Sequence, residues 1–275
     1  MSLSRLNRWI PTLNWLAAVT LVVSLVLTFF YAPTERTMGN VQRIFYFHVG
    51  TAWVGAVAFF VALLAGSFYL ARIDFGSLKV PNNDTMTSIW GIIKLKNPNR
   101  KWDTIALSSV EVGLVFLTIT TAAGSVWGKP AWNTWWLWSP RLTLITVAWL
   151  TYAAYFMLRG AIEEREKRAR FGAVYVIVAF VTIIMAYISI RIFRDIHPVV
   201  FGGTIEAAQG ASEGLQEFEP GLESMRMGIT LTVNTISFSI MYIAWMFNRI
   251  RLQFLMDNVD SLKMRVAAHL QGGNA

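Results

Sequence analysis

The sequence predicts an all-α, polytopic integral membrane protein with six transmembrane helices and both termini in the cytoplasm. Three observations carry this reading. Apolar residues make up 55% of the 275-residue chain and charged residues only 15%, against about 25% charge in an ordinary soluble domain. The apolar residues fall into six nearly charge-free blocks, each close to the ~20 residues that cross a hydrocarbon core as a helix. Finally, 17 Lys and Arg lie in the N-terminal segment, the 72–104 and 159–170 connections and the tail after Phe247, against 7 in the other three connections even when Arg191 at a helix end is counted. Such an excess marks cytoplasmic segments, so 32–48, 127–141 and 194–228 are expected outside.

The spans are read as 14–31, 49–71, 105–126, 142–158, 171–193 and 229–247, within one membrane domain, 1–275. None alternates apolar with polar residues, which argues against strands. The first follows "MSLSRLNRW", and its apolar run exceeds the roughly 7–15 residues of a cleavable signal; it is expected to stay as a helix. The second starts beside His48, in "IFYFHVGTAW". The connection after it is turn-rich, with Pro81 and Pro98. The third contains Glu111, an intramembrane carboxylate and therefore a functional candidate, unless it pairs with a basic residue of the inner side or is protonated in helix packing. The fourth is the shortest. Ser139-Pro140 before it reads as an N-cap followed by proline at the first helical position. The mixed-charge run "RGAIEEREKRARF" is expected to extend helices four and five, and His269, in the tail after the sixth, to be solvated.

The absence of cysteine excludes structural disulfides, thiolate metal sites and thiol redox chemistry within this chain. The net charge of +8 follows membrane topology and does not form a nucleic-acid patch.

The chemistry collects on the outer face. Five of the twelve tryptophans lie between Trp127 and Trp138, in "WGKPAWNTWWLW". An interfacial aromatic belt accounts for one or two at a helix end, not for five in one connection. His48 and His197, in "RIFRDIHPVV", are expected at the same leaflet. Haem suits this set: neutral imidazole coordinates its iron, the porphyrin face packs on indoles, and its propionates seek Arg141, Lys129 and indole N–H donors. Zinc would usually take three or four protein ligands. The acidic residues Glu206, Glu213, Glu217, Glu219 and Glu223 offer either a docking surface for a recipient or a merely solvated loop.

The string "WGKPAWNTWW-W-PRLT", with an outer histidine on either side and six spans, resembles the tryptophan-rich, WWD-type haem-handling membrane proteins of the CcmC family of cytochrome c maturation. The resemblance implies that Trp127, Gly128, Pro130, Trp132, Trp135, Trp136, Trp138, Arg141 and Leu142 fall in the haem-binding motif. It also makes His48 and His197 the axial ligands of a non-covalent, transient haem b. It further implies a chain in the cytoplasmic (inner) membrane that passes haem at the outer face to a CcmE haem chaperone, with a CcmA ATPase and CcmB and CcmD membrane subunits as partners. Such a chain makes no bond itself. Family members usually carry aspartate where this chain has Ser139; serine keeps the capping role and loses the charge. The alternatives are a cytochrome c haem lyase of the same superfamily, which usually carries further spans and outer domains, and a b-type cytochrome or a channel. No histidine lies mid-span, and Glu111 alone is thin support for a pore.

Overall fold

The computed structural model describes residues 3–36, 38–71, 100–193, 197 and 225–272. Among these residues, six helices are long and apolar enough to cross a membrane, and no strand forms. Helix α1 spans Leu3–Val26 and continues as a π turn, Leu27–Tyr31. Then come α2 (Gln42–Leu70), α3 (Arg100–Trp132), α4 (Pro140–Ala161), α5 (Arg165–Ile192) and α6 (Met225–Gly272). Each expected span falls within one of these helices or on its capping residue. The short break between α4 and α5 matches the expected extension of both. Most of the 72–104 connection and of the acidic loop 194–228 lies outside the described residues; Arg100–Thr104 and Met225–Gly228 are already helical.

Two boundaries differ from the sequence reading. Helix α2 begins at Gln42, so His48 sits six residues, about 9 Å, inside it at 1.5 Å per residue. Its first two turns are held by packing, because Phe45 and Tyr46 are buried with Trp127, Met227 and Leu231. The second difference is at the tryptophan-rich connection, expected over 127–141. Helix α3 runs on through Pro130 to Trp132, leaving 133–139 as the connection. A proline this close to a helix end costs only one helical hydrogen bond and a local adjustment. The helix stops at Asn133, whose φ of 55° is the left-handed conformation that ends many helices. Lys129 Nζ donates to the carbonyl and amide oxygens of Asn133, at 3.0 and 3.3 Å.

Helices α2 and α3 form the centre. On one side they pack with α4 and α5 around Phe59, Val110, Tyr152 and Val176. On the other they meet α6 through Ala58, Phe116, Phe238 and Tyr242. The α2–α3 approach is close enough that a Cβ at Gly113 would lie 2.9 Å from the Cβ of Ala58. Such small-residue contacts drive helix association where lipid removes the hydrophobic incentive. Polar links reinforce it. Ser109 Oγ donates to Ala58 O at 2.6 Å and therefore accepts from the Tyr242 hydroxyl at 2.7 Å. Asn234 Nδ2 donates to Thr28 Oγ1 at 2.9 Å, joining α6 to the π turn of α1.

Charged links gather at one end of the bundle. Arg159 meets Asp103 in a two-pronged pair at 2.6 and 3.1 Å. Arg249 of α6 pairs with Glu111 of α3 through both Nε and Nη2. Glu111 is thus an interhelical ion-pair partner, one of the two alternatives its position had left open.

Candidate functional site

A cavity opens at the other end of the bundle, between α2, α3, α4 and α5. Its volume is about 70 Å³, below the roughly 300–1,000 Å³ of sites that enclose a small molecule, so a bulky ligand would have to displace side chains that line it. Phe59, Leu117, Ile145 and Ile183 form its floor. Around it stand both histidines, Trp127, Trp132, Trp136, Arg141 and Leu142.

Helix α2 delivers His48 and the backbone of α3 orients it. His48 Nδ1 lies 2.9 Å from the carbonyl oxygen of Thr120. A carbonyl can only accept, so Nδ1 carries the proton and Nε2 keeps its lone pair in the neutral ring. This is how metal-binding histidines are commonly oriented. The Cε1–Nδ1 edge of the ring sits against α3 at Gly124, where a Cβ would come within 2.7 Å of His48 Cε1. The Thr51 and Thr120 hydroxyls, 2.9 Å apart, link α2 to α3 one turn further in.

His197 follows the end of α5, and its ring centre lies 6.0 Å from that of His48, at 55°. Burial, Arg141 and His48 together hold the pKa of His197 well below the usual histidine value, so it is neutral at pH 7. Two imidazoles sharing one metal ion, with metal–nitrogen bonds of about 2 Å and ring nitrogens roughly 1 Å from the ring centre, would have centres about 6 Å apart. Among the described residues no group of three or more His, Cys, Asp or Glu could hold a bare metal ion. The donor set fits an ion that brings its own equatorial ligands.

The indoles divide. Trp127 is 3% exposed and meets Trp132 edge-on at 5.3 Å; Trp132 in turn lies 6.1 Å from His197. Trp136 faces the cavity, and its buried Nε1–H has no acceptor among the described residues. Trp135 and Trp138 are 58% and 72% exposed and point away. Gly128 is buried beneath the Trp132 ring, and Pro130 is exposed on α3. The cavity therefore gathers six of the ten expected cofactor residues (His48, His197, Trp127, Trp132, Trp136 and Arg141), but not Gly128, Pro130, Trp135 or Trp138. The connection is shaped by Ser125 Oγ donating to Trp135 O at 2.8 Å and Thr134 Oγ1 donating to Trp136 O at 3.1 Å.

Ser139 caps α4 as expected. Its hydroxyl accepts from Leu142 N at a long 3.5 Å, and its carbonyl accepts from Thr143 N at 2.9 Å. Arg141, in that first turn, lies 5.7 Å over the Tyr187 ring. Thr120, Gly124 and Tyr187 were missed by sequence reasoning. Thr120, Gly124 and Trp127 stand at i, i+4 and i+7 and so share one helix face, a signal that could have found the first two.

Fold and site together define a multi-pass membrane protein with an aromatic, two-imidazole cavity at one end of its helical bundle. The chain belongs to the cytochrome c assembly protein family, whose pattern matches residues 2–197. It is 25% identical over 217 residues to "Heme exporter protein C" of Escherichia coli (strain K12), covering 78% of this chain and 74% of the relative. The same-named protein of Rhodobacter capsulatus is 24% identical over 260 residues, covering 94% and 92%. "Cytochrome c biogenesis protein CcsA" of Prochlorococcus marinus is 29% identical over 148 residues, covering 48% and 47%. The likeness to CcmC-type proteins seen in the tryptophan string holds across most of the chain, and it gives the protein a role in haem transport for cytochrome c maturation.

Proposed function

We propose that this chain holds non-covalent haem b at the outer face of the cytoplasmic membrane and hands it to a CcmE-like chaperone. It would work beside a CcmA-like ATPase and CcmB-like and CcmD-like membrane subunits. The observation that carries this reading is the pair of imidazoles with ring centres 6.0 Å apart, one of them with its coordinating nitrogen set by a backbone carbonyl. His48 and His197 would hold the iron. Trp127 and Trp132 would pack against the macrocycle, while Arg141 and the Trp136 N–H would meet propionates. Haem would supply iron open to two imidazoles; the protein supplies orientation and an apolar surround. The outer placement rests on the distribution of Lys and Arg, which puts both termini in the cytoplasm. Trp135 and Trp138 face outward, where a recipient can approach.

Transfer is favoured over haem ligation by coverage. Relatives named as heme exporters align over 74–92% of their own length, the CcsA relative over 47%.

The test is purification from haem-replete membranes, with absorption and resonance Raman spectra of the native chain, His48→Ala, His197→Ala and the double variant. Each single variant is expected to lose haem or change its coordination. An unchanged spectrum in the double variant would refute the axial assignment. Loading of a purified CcmE-like recipient tests the relay, and covalent cytochrome c made by the chain alone would replace it with a synthase.

A further inference from the structure

Helix α6 is far longer than a crossing requires. Its 48 residues measure about 72 Å at 1.5 Å per residue, against a hydrocarbon core of about 30 Å. At the inner end Asn248 Nδ2 donates to Asn14 Oδ1 at 2.7 Å, and Arg249 reaches Glu111. From there the helix continues for roughly 36 Å, with neither Gly nor Pro from Asn248 to Gln271.

The side of this extension that meets the rest of the chain is polar. Arg249 pairs with Glu111, Asp257 with Arg100 at 2.9 Å, and Asp260 with Arg165 at 2.8 Å. An apolar stripe occupies the other side. Leu252, Leu255, Val259, Leu262 and Val266 follow one another at spacings of three and four residues, and all are exposed. At 3.6 residues per turn this stripe lies about 140° around the helix from the polar contacts. An amphipathic helix ordinarily turns its apolar side inward; here ion pairs hold the apolar side out.

The 3-4-3-4 spacing is that of the a and d positions of a coiled coil, which needs a second helix with the same repeat. The flanking e and g positions carry Arg251, Lys263 and Arg265 beside Met256, Asn258 and Leu270, with no carboxylate among them. Flanking charges of this kind select the partner. The geometry points to a docking surface for a helix of another polypeptide that carries an apolar heptad stripe flanked by Asp or Glu. A second copy would present only cations and neutral residues to this flank. A lipid surface is the poorer occupant, because the extension is one unbroken helix with the spanning part and its ion pairs to Arg100 and Arg165 brace it in that line.

The test uses the full chain in neutral-lipid nanodiscs and two labelled synthetic peptides of about four heptads with Leu at a and d. One carries Glu at e and g, the other Lys. The Glu peptide is expected to bind at least about tenfold more tightly than the Lys peptide, and Leu255→Glu with Leu262→Glu to weaken it by a similar factor. The haem spectrum and thermal unfolding of that variant should match the native chain, since the stripe stands clear of the bundle. Equal binding of both peptides, binding of neither, or unchanged binding by the variant overturns the proposal. So does a homodimer that the two substitutions separate, or protection of the segment only by anionic vesicles.

Discussion

Replacing Gly124 by alanine tests the site at its tightest point. The new methyl would lie 2.7 Å from His48 Cε1 and 3.0 Å from Nδ1, whereas carbon atoms rest comfortably at about 3.5–4.0 Å. The ring must retreat by roughly 0.8 Å or more. The 2.9 Å bond from His48 Nδ1 to Thr120 O then passes about 3.5 Å and is lost. Losing such an orienting partner typically costs about 10–100-fold in metal affinity. The same substitution raises helix propensity by up to about 1 kcal/mol, so damage to haem binding is expected without loss of the fold. Gly160→Ala is the control, because a Cβ there meets nothing within 4 Å. The assay is haem titration of the stripped proteins, with thermal unfolding in parallel. Wild-type affinity and spectrum in Gly124→Ala would refute the account of how His48 is held.

Four further outcomes are expected. Trp136→Phe keeps a ring but removes a buried N–H without an acceptor among the described residues; haem retention should fall severalfold while the haem-free chain is unchanged or up to about 1 kcal/mol more stable, as thermal unfolding will show. Arg159→Met strips Asp103 of a buried partner and should destabilise by about 3 kcal/mol, leaving the haem spectrum of the remaining folded protein intact. His197 has a lowered pKa, so its coordinating neutral form should persist as pH falls below about 6.5 and be lost only under stronger acid. Arg141→Gln removes one cause of that lowering and should move the spectroscopic loss to higher pH; a shift the other way contradicts the assignment. Ser139→Ala should cost about 0.5 kcal/mol and reduce haem retention while Ser139→Asp does not; if alanine equals serine in retention, the capping role fails.

The six helices were legible because continuous apolar length decides a crossing without reference to neighbours. Helix ends were less so. Nothing local in "QRIFYFH" says that it is helical; the burial of Phe45 and Tyr46 against α3 and α6 decides it. The two histidines could be placed at one end of the bundle from topology, but not 6.0 Å apart. The indoles were legible as a group and not one by one. Past Trp132 the chain is no longer helical, so spacing does not say that Trp136 turns inward while Trp135 and Trp138 turn out. Thr120 acts through its main chain, which no residue-by-residue motif records.

That last point bears on how a family of this kind can diverge. The group that steadies the His48 ring is a peptide oxygen, and every amino acid supplies one. Substitution at position 120 cannot delete it. What must persist is the distance between two neighbouring helix backbones, set by small residues at their seam. Chains that keep that spacing are free to rewrite much of the surrounding text and still present the same imidazole.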